Sequence, residues 1–227
     1  DASADNFDPD ATEEDFTCYY TYSVGYGEGA NLISFYILPD EETSPTDEFI
    51  GSTFNQDMFN AYALLSQNQA AYFFENGSVY GSLAEVNRTS GYWIKLLNDA
   101  NVDFTGYPTD SDIIYSINES SNLISFPSDE YHDLYDVLPS ELEGIVYAIL
   151  SDENAAYYYN GIWVGSLSGL QGFEGYWFKS YLDIDFSFNI SDDGVARVAP
   201  EKEILNGHEY NISSRRAFYF IKELPQA

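Results

Sequence analysis

One half of this chain restates the other. Asn31-Leu32-Ile33-Ser34-Phe35 returns as Asn122-Leu123-Ile124-Ser125-Phe126, and Tyr62-Ala63-Leu64-Leu65-Ser66 as Tyr147-Ala148-Ile149-Leu150-Ser151. Ala70-Ala71-Tyr72-Phe73-Phe74 returns as Ala155-Ala156-Tyr157-Tyr158-Tyr159, Gly81-Ser82-Leu83 as Gly165-Ser166-Leu167, and Gly91-Tyr92-Trp93-Ile94-Lys95 as Gly175-Tyr176-Trp177-Phe178-Lys179. Five blocks in one order define an internal repeat, so whatever one copy folds into the other must fold into as well.

Each copy reads as strands. Asn-Leu-Ile-Ser-Phe alternates apolar and polar residues and is β-rich. Asn76-Gly77 and Asn160-Gly161 are signals for two-residue type I′ hairpin turns. Gly-Ser-Leu lies on a further strand, and Gly-Tyr-Trp opens the last one. Ser44-Pro45-Thr46-Asp47-Glu48 predicts a short helix with a Ser cap, Pro in the first turn and early acids. The expected fold class is mainly β: two tandem homologous small β-rich domains of antiparallel strands plus one short helix each. The expected boundaries are an acidic segment at 1–18, repeat 1 at 19–107, repeat 2 at 108–190, and a C-terminal β segment at 191–227.

Composition agrees with that class and narrows the partners. Twenty-one Tyr and sixteen Phe stand against one Met, a sheet-forming mixture. The formal net charge of −30 excludes a nucleic-acid interface, which needs clustered Lys and Arg, and disfavours an anionic membrane. No run of about 18 apolar residues exists to insert into a bilayer. Two readings of the acidity stay open: a solvated surface suited to salty water, where self-repulsion is screened, or carboxylates that hold calcium.

The calcium reading has an address. Seven carboxylates fall in the first fifteen residues, and Asp1, Asp5, Asp8, Asp10 and Asp15 are the candidate ligands, since hard oxygen donors at short spacing suit Ca²⁺. The EF-hand pattern is not met, and a plain acidic linker fits the spacing equally. Nothing in residues 1–20 resembles a signal peptide. The single cysteine, Cys18, is either a buried thiol or one half of a bridge to a residue elsewhere. At the other end Arg216-Ala217-Phe218-Tyr219-Phe220-Ile221-Lys222 reads as a strand that belongs to neither repeat. It reads as the opening of a further β module, or as a strand for exchange with a neighbouring molecule, with Cys18, Ala217, Phe218, Tyr219 and Phe220 as assembly residues.

The aromatic residues divide into core and surface. Trp93 and Trp177 recur at equivalent strand positions and read as core or half-core rings. Tyr157-Tyr158-Tyr159 must alternate between the two faces of a strand, so Trp163, Tyr157 and Tyr159 form a candidate contact patch for a glycan or a protein. Catalytic chemistry finds little to stand on. His132 and His208 are the only histidines. No Gly-x-Ser-x-Gly elbow, zinc signature, P-loop or dinucleotide fingerprint occurs.

Residues 1–18 resemble the Gly-Cys-Thr-Asp acidic repeat of secreted marine-bacterial surface proteins of the type IX secretion class. Asp1, Ala4, Asn6, Pro9, Ala11, Thr12, Asp15 and Cys18 match that pattern, while Asp5 stands where the family has a second cysteine. The two-copy body resembles the tandem repeats of the same proteins. The resemblance implies secretion, surface display, modularity and a partner for Cys18 upstream of residue 1; it brings no catalytic residue. The expectation is therefore a non-enzymatic extracellular structural or adhesive module of a cell-surface or filament-forming protein. Its expected partners are other copies of itself or other modules of the same surface protein, and calcium is the one candidate cofactor. Two alternatives are a carbohydrate-binding module that uses exposed aromatics and an accessory domain of a secreted hydrolase.

Overall fold

The computed structural model describes residue 5 and residues 19–40, 42–55 and 58–190. They lie in the first of two units into which the chain divides, 1–193 and 194–227. This unit is mainly β, with antiparallel sheets and few helical residues. The expected boundary at 107/108 falls inside it, at the end of the Ala100–Pro108 strand.

Two five-stranded sheets dominate. In the first, Gly29–Ser34 pairs with Gly91–Leu96, followed by Ala61–Leu65, Ala70–Phe73 and Val79–Gly81. In the second, Ser120–Ile124 pairs with Tyr176–Ser180, followed by Val146–Leu150, Ala155–Tyr159 and Ile162–Gly165. The strand order is the same, and both sheets slip register at one tyrosine, between Ala61 and Ala63 and between Val146 and Ala148. Smaller sheets also correspond: Thr43–Pro45 with Glu85–Asn87 and Tyr131–Asp133 with Gly169–Gln171, then Tyr20–Tyr26 with Ala100–Pro108 and Tyr115–Ile117 with Ile184–Phe186.

The repeated motifs have local causes. Asn31 and Asn122 each clasp the backbone four residues upstream, accepting from Gly27 N–H at 3.1 Å and Asn118 N–H at 2.9 Å, and donating to the same residues' carbonyls at 2.8 Å. The glycines of Gly-Ser-Leu, with φ of 148° and 151°, leave no room for a side chain. A Cβ there would fall 2.0 Å from the carbonyl oxygen of Ala70 or of Ala155. Tyr92 and Tyr176 are buried, and their hydroxyls accept from Asn87 N–H and Gln171 N–H, both at 2.8 Å.

Two expectations need correction. Asn160-Gly161 forms the two-residue turn, with positive φ at both positions and Tyr159 opposite Ile162. Asn76-Gly77 does not: the first copy has one more residue, Phe74 N–H bonds Ser78 O, and only Gly77 is left-handed, at φ 80°. That is the three-residue hairpin with a closing bulge. Likewise Ser44 is no cap. It lies in the Thr43–Pro45 strand opposite Val86, its hydroxyl on Asp40, and Pro45 stands at the cap position of the Thr46–Phe54 helix. The second copy reduces this helix to Leu134–Val137, capped by Asp133 on Tyr135 N–H at 2.9 Å.

The copies interlock by exchanging equivalent contacts. Ser34 N–H donates to Phe173 O at 3.0 Å, and Ser125 N–H to Thr89 O at 3.1 Å. Ile33 bridges Glu174, and Ile124 bridges Ser90. In each case the end of one copy's Asn-Leu-Ile-Ser strand meets the loop before the other copy's Gly-Tyr-Trp. The exchange is not fully symmetric: Phe173 enters the core of the first sheet, stacked on Phe104 at 5.4 Å between ring centroids.

Candidate functional site

In a chain with 38 acids, no strand of either five-stranded sheet carries an Asp or a Glu. Each sheet carries one cation, Lys95 or Lys179, at equivalent positions. Directly opposed residues of an antiparallel pair share a face, so the register reads out each outward surface. On the first sheet Lys95, Ala63, Tyr72 and Tyr80 form one row across the strands, and Leu32, Trp93, Leu65 and Ala70 the next. On the second the rows are Lys179, Ala148, Tyr157 and Val164, then Leu123, Trp177, Leu150 and Ala155.

These faces are open at the aromatic end. Tyr72 and Tyr80 are exposed, with Phe74 edge-on to Tyr80 at 5.7 Å. On the second sheet Tyr157, Tyr159 and Ile162 are exposed. Both lysines are half-buried, and among the described residues neither makes an ion pair or a hydrogen bond.

The candidate contact patch is thus partly redrawn. Tyr157 and Tyr159 face solvent, as alternation requires. Trp163 does not: it is 7 % exposed, in the second core, with Tyr158 against it at 5.3 Å. Its strand neighbour opposite is Tyr158, not Tyr157, which puts it on the inner face. Trp93 and Trp177 are half-buried on the outward faces. Sequence reasoning misses Lys95, Lys179, Tyr72 and Tyr80; the recurrence of the lysine within Gly-Tyr-Trp-x-Lys is the signal that could have found them.

Two clefts hold most of the nearby polar chemistry. The larger, about 610 Å³, is lined by Asp110, Asp112, Asp129, Glu130 and His132 among others. His132 Nε2 lies 2.8 Å from Ser128 Oγ, but Ser128 is buried, and its hydroxyl also accepts from Glu130 N–H at 3.1 Å. That serine closes a turn, and both it and His132 line the cleft. The smaller, about 400 Å³, lies beside Asp152, Glu153 and Glu174. Burial and the neighbouring Glu153 raise the Asp152 carboxyl above the usual carboxylate range.

Among the described residues no group of three or more His, Cys, Asp or Glu is placed to hold a metal ion. Asp5 is described, and its N–H donates to Tyr19 O at 2.9 Å. The other calcium candidates, Asp1, Asp8, Asp10 and Asp15, lie outside the described residues, as do Cys18, Ala217, Phe218, Tyr219 and Phe220. No helix among the described residues is long and apolar enough to cross a membrane. No protein-family model, curated protein or solved structure matches the chain.

Proposed function

We propose that this chain is a non-enzymatic structural or adhesive module of an extracellular, surface-displayed protein, organised as two homologous β-rich domains between two joining ends. One observation carries the reading: a strongly acidic chain that leaves the outward faces of two equivalent sheets free of carboxylates and furnished with exposed aromatic rings. An acidic coat keeps copies apart, and exposed apolar patches rimmed by polar residues mark interaction surfaces. The reciprocal hydrogen bonds between the copies supply the rigid frame such a surface needs.

The ends complete the proposal. In this reading the acidic segment with Asp1, Asp5, Asp8, Asp10 and Asp15 is a calcium-responsive joint, and the β-forming sequence Ala217-Phe218-Tyr219-Phe220 recruits another copy or another module, as β-rich aromatic sequences do at sheet edges. Light scattering with negative-stain microscopy, with and without millimolar calcium, tests this. Ordered polymers or calcium-dependent association support it. A monomer at every concentration, indifferent to calcium and without affinity for any surface, overturns it.

A further inference from the structure

We propose that the two outward sheet faces are equivalent binding platforms for an acidic polysaccharide, with Tyr72 and Tyr80 or Tyr157 and Tyr159 stacking on sugar rings and Lys95 or Lys179 meeting a carboxylate or sulfate. This rests on the adhesive reading above and names what is adhered to.

The faces select this ligand by what they contain and what they leave out. Exposed tyrosines on a pleated sheet offer flat apolar rings with a hydroxyl at the rim, which suits a pyranose whose C–H face is apolar and whose edge is hydroxylated. The lysine is the only charge in either set of strands. Among the described residues it has no carboxylate partner, in a chain where carboxylates outnumber cations almost fivefold. A lysine with no ion-pair partner among the described residues is available to an anion that arrives from outside. The overall charge of −30 does not prevent this, because at physiological ionic strength fields die off over about 8 Å and the local surface decides.

A second copy of the chain fits these faces less well. Packing one face on another would bury two lysines and no acid, leaving unpaired charge in a dry interface. Setting a face on another copy's acidic coat would strip water from carboxylates for a single ammonium. A flexible hydrated polymer can bring one anionic group to the lysine and leave its other charges in water, so it does neither. Because the face occurs twice, one molecule can bridge two polysaccharide strands, and avidity then exceeds the affinity of either face.

The test is affinity electrophoresis of the full chain through gels that contain a polyuronate, a sulfated galactan or an uncharged galactan. The expected result is retardation by one or both charged polymers, more than by the uncharged one, weakening as salt rises. Lys95→Gln, or Tyr72→Ala with Tyr80→Ala, should weaken retardation about threefold to tenfold, as should Lys179→Gln or Tyr157→Ala with Tyr159→Ala. Lys95→Arg should keep it. Polyuronate retardation alone identifies a carboxylate ligand, and sulfated-galactan retardation alone a sulfate. Near-UV circular dichroism shows that each variant is folded. Mixed with the charged polymer in solution, the parent chain should cross-link it into a precipitate, and a variant with one face altered should bind without precipitating. No retardation by either charged polymer, equal retardation by the uncharged one, or retardation untouched by the tyrosine pairs overturns the proposal. Scattering by the chain alone reports on assembly independently, so the two readings fail separately.

Discussion

Gly91 lies so close to Leu123 that a Cβ on the glycine would fall 2.8 Å from Leu123 Cδ1 and 2.9 Å from the carbonyl oxygen of Ile124. Gly175 holds the matching place against Leu32 and Ile33, at 3.2 Å and 2.7 Å. The glycine of Gly-Tyr-Trp and the Leu-Ile of Asn-Leu-Ile-Ser-Phe are therefore two sides of one contact, made twice. Gly91→Ala and Gly175→Ala should each destabilise the protein by about 1–3 kcal/mol, because the obstacle includes backbone. Urea unfolding checks this: the midpoint should fall for both variants, with one transition for the whole unit. Variants as stable as the parent would remove the contact's importance.

Phe173 links the copies in one direction only. Its ring sits among Tyr22, Tyr36 and Phe104 at 5.7, 5.8 and 5.4 Å, on a residue held at φ 64°. Phe173→Ala should cost about 3–5 kcal/mol, the range for emptying a buried aromatic site. Thr89 occupies the equivalent place and leaves nothing comparable in the second core. Thr89→Ala should therefore cost much less, and thermal unfolding of the two variants side by side decides it.

The strands and the doubled motifs are legible in the repeat blocks alone, because strand periodicity and turn residues act over a few positions; the order that pairs each copy's first strand with its Gly-Tyr-Trp strand is not. The contacts that join the copies are not legible there. They pair residues far apart in the chain, 54 positions for Gln67 on Ser121 and 140 for Ser34 Oγ donating to Glu174 O at 2.8 Å, and no local pattern encodes which edge a strand end will meet. Trp163 goes to the opposite face from the one expected for a related reason. The triple tyrosine opposite it alternates faces, and only the register of Tyr158 against Trp163 determines its side of the sheet. The outward lysines are visible in the sequence only as a repeated letter; that neither has an ion-pair partner among the described residues is a property of the assembled face.

Gln67 clips the first copy to the second, donating from Nε2 to Ser121 O at 2.6 Å and accepting Leu123 N–H at 3.1 Å. The repeat puts Asp152 in the equivalent place, beside Leu32 at the smaller cleft. A carboxylate has no N–H to donate, and this one is held above its ordinary pKa, chiefly by burial and then by Glu153. The folded state thus disfavours the ionised form, and stability falls as pH rises from the ordinary carboxylate range through the raised value. Asp152→Gln should remove that dependence and add about 0.5–1.5 kcal/mol at neutral pH by restoring a second clip. Gln67→Asp should do the reverse. Urea midpoints at pH 4 and pH 7 for both variants make the comparison.

Alkaline pH should unfold the protein through its buried tyrosines. Burial pushes the Tyr92 hydroxyl up to about 12, against a smaller lowering from the Asn87 N–H it accepts. Tyr115 and Tyr176 are raised further, again by burial first. A raised folded-state pKa means that the neutral phenol stabilises the fold at pH values below about 10, where both states are protonated. Above that the unfolded chain ionises while the folded chain resists, so stability is lost progressively between about 10 and 12. Tyrosinate absorbance followed against near-UV circular dichroism should therefore show a cooperative rise in absorbance that coincides with loss of the dichroism. Tyr115→Phe removes a hydroxyl that shares a hydrogen bond with Ser125 Oγ at 2.9 Å. It should lower stability at neutral pH by about 1 kcal/mol and shift the alkaline transition upward relative to that lower starting point. A single gradual titration with no coincident loss of dichroism would show that these rings are not the ones that hold the fold.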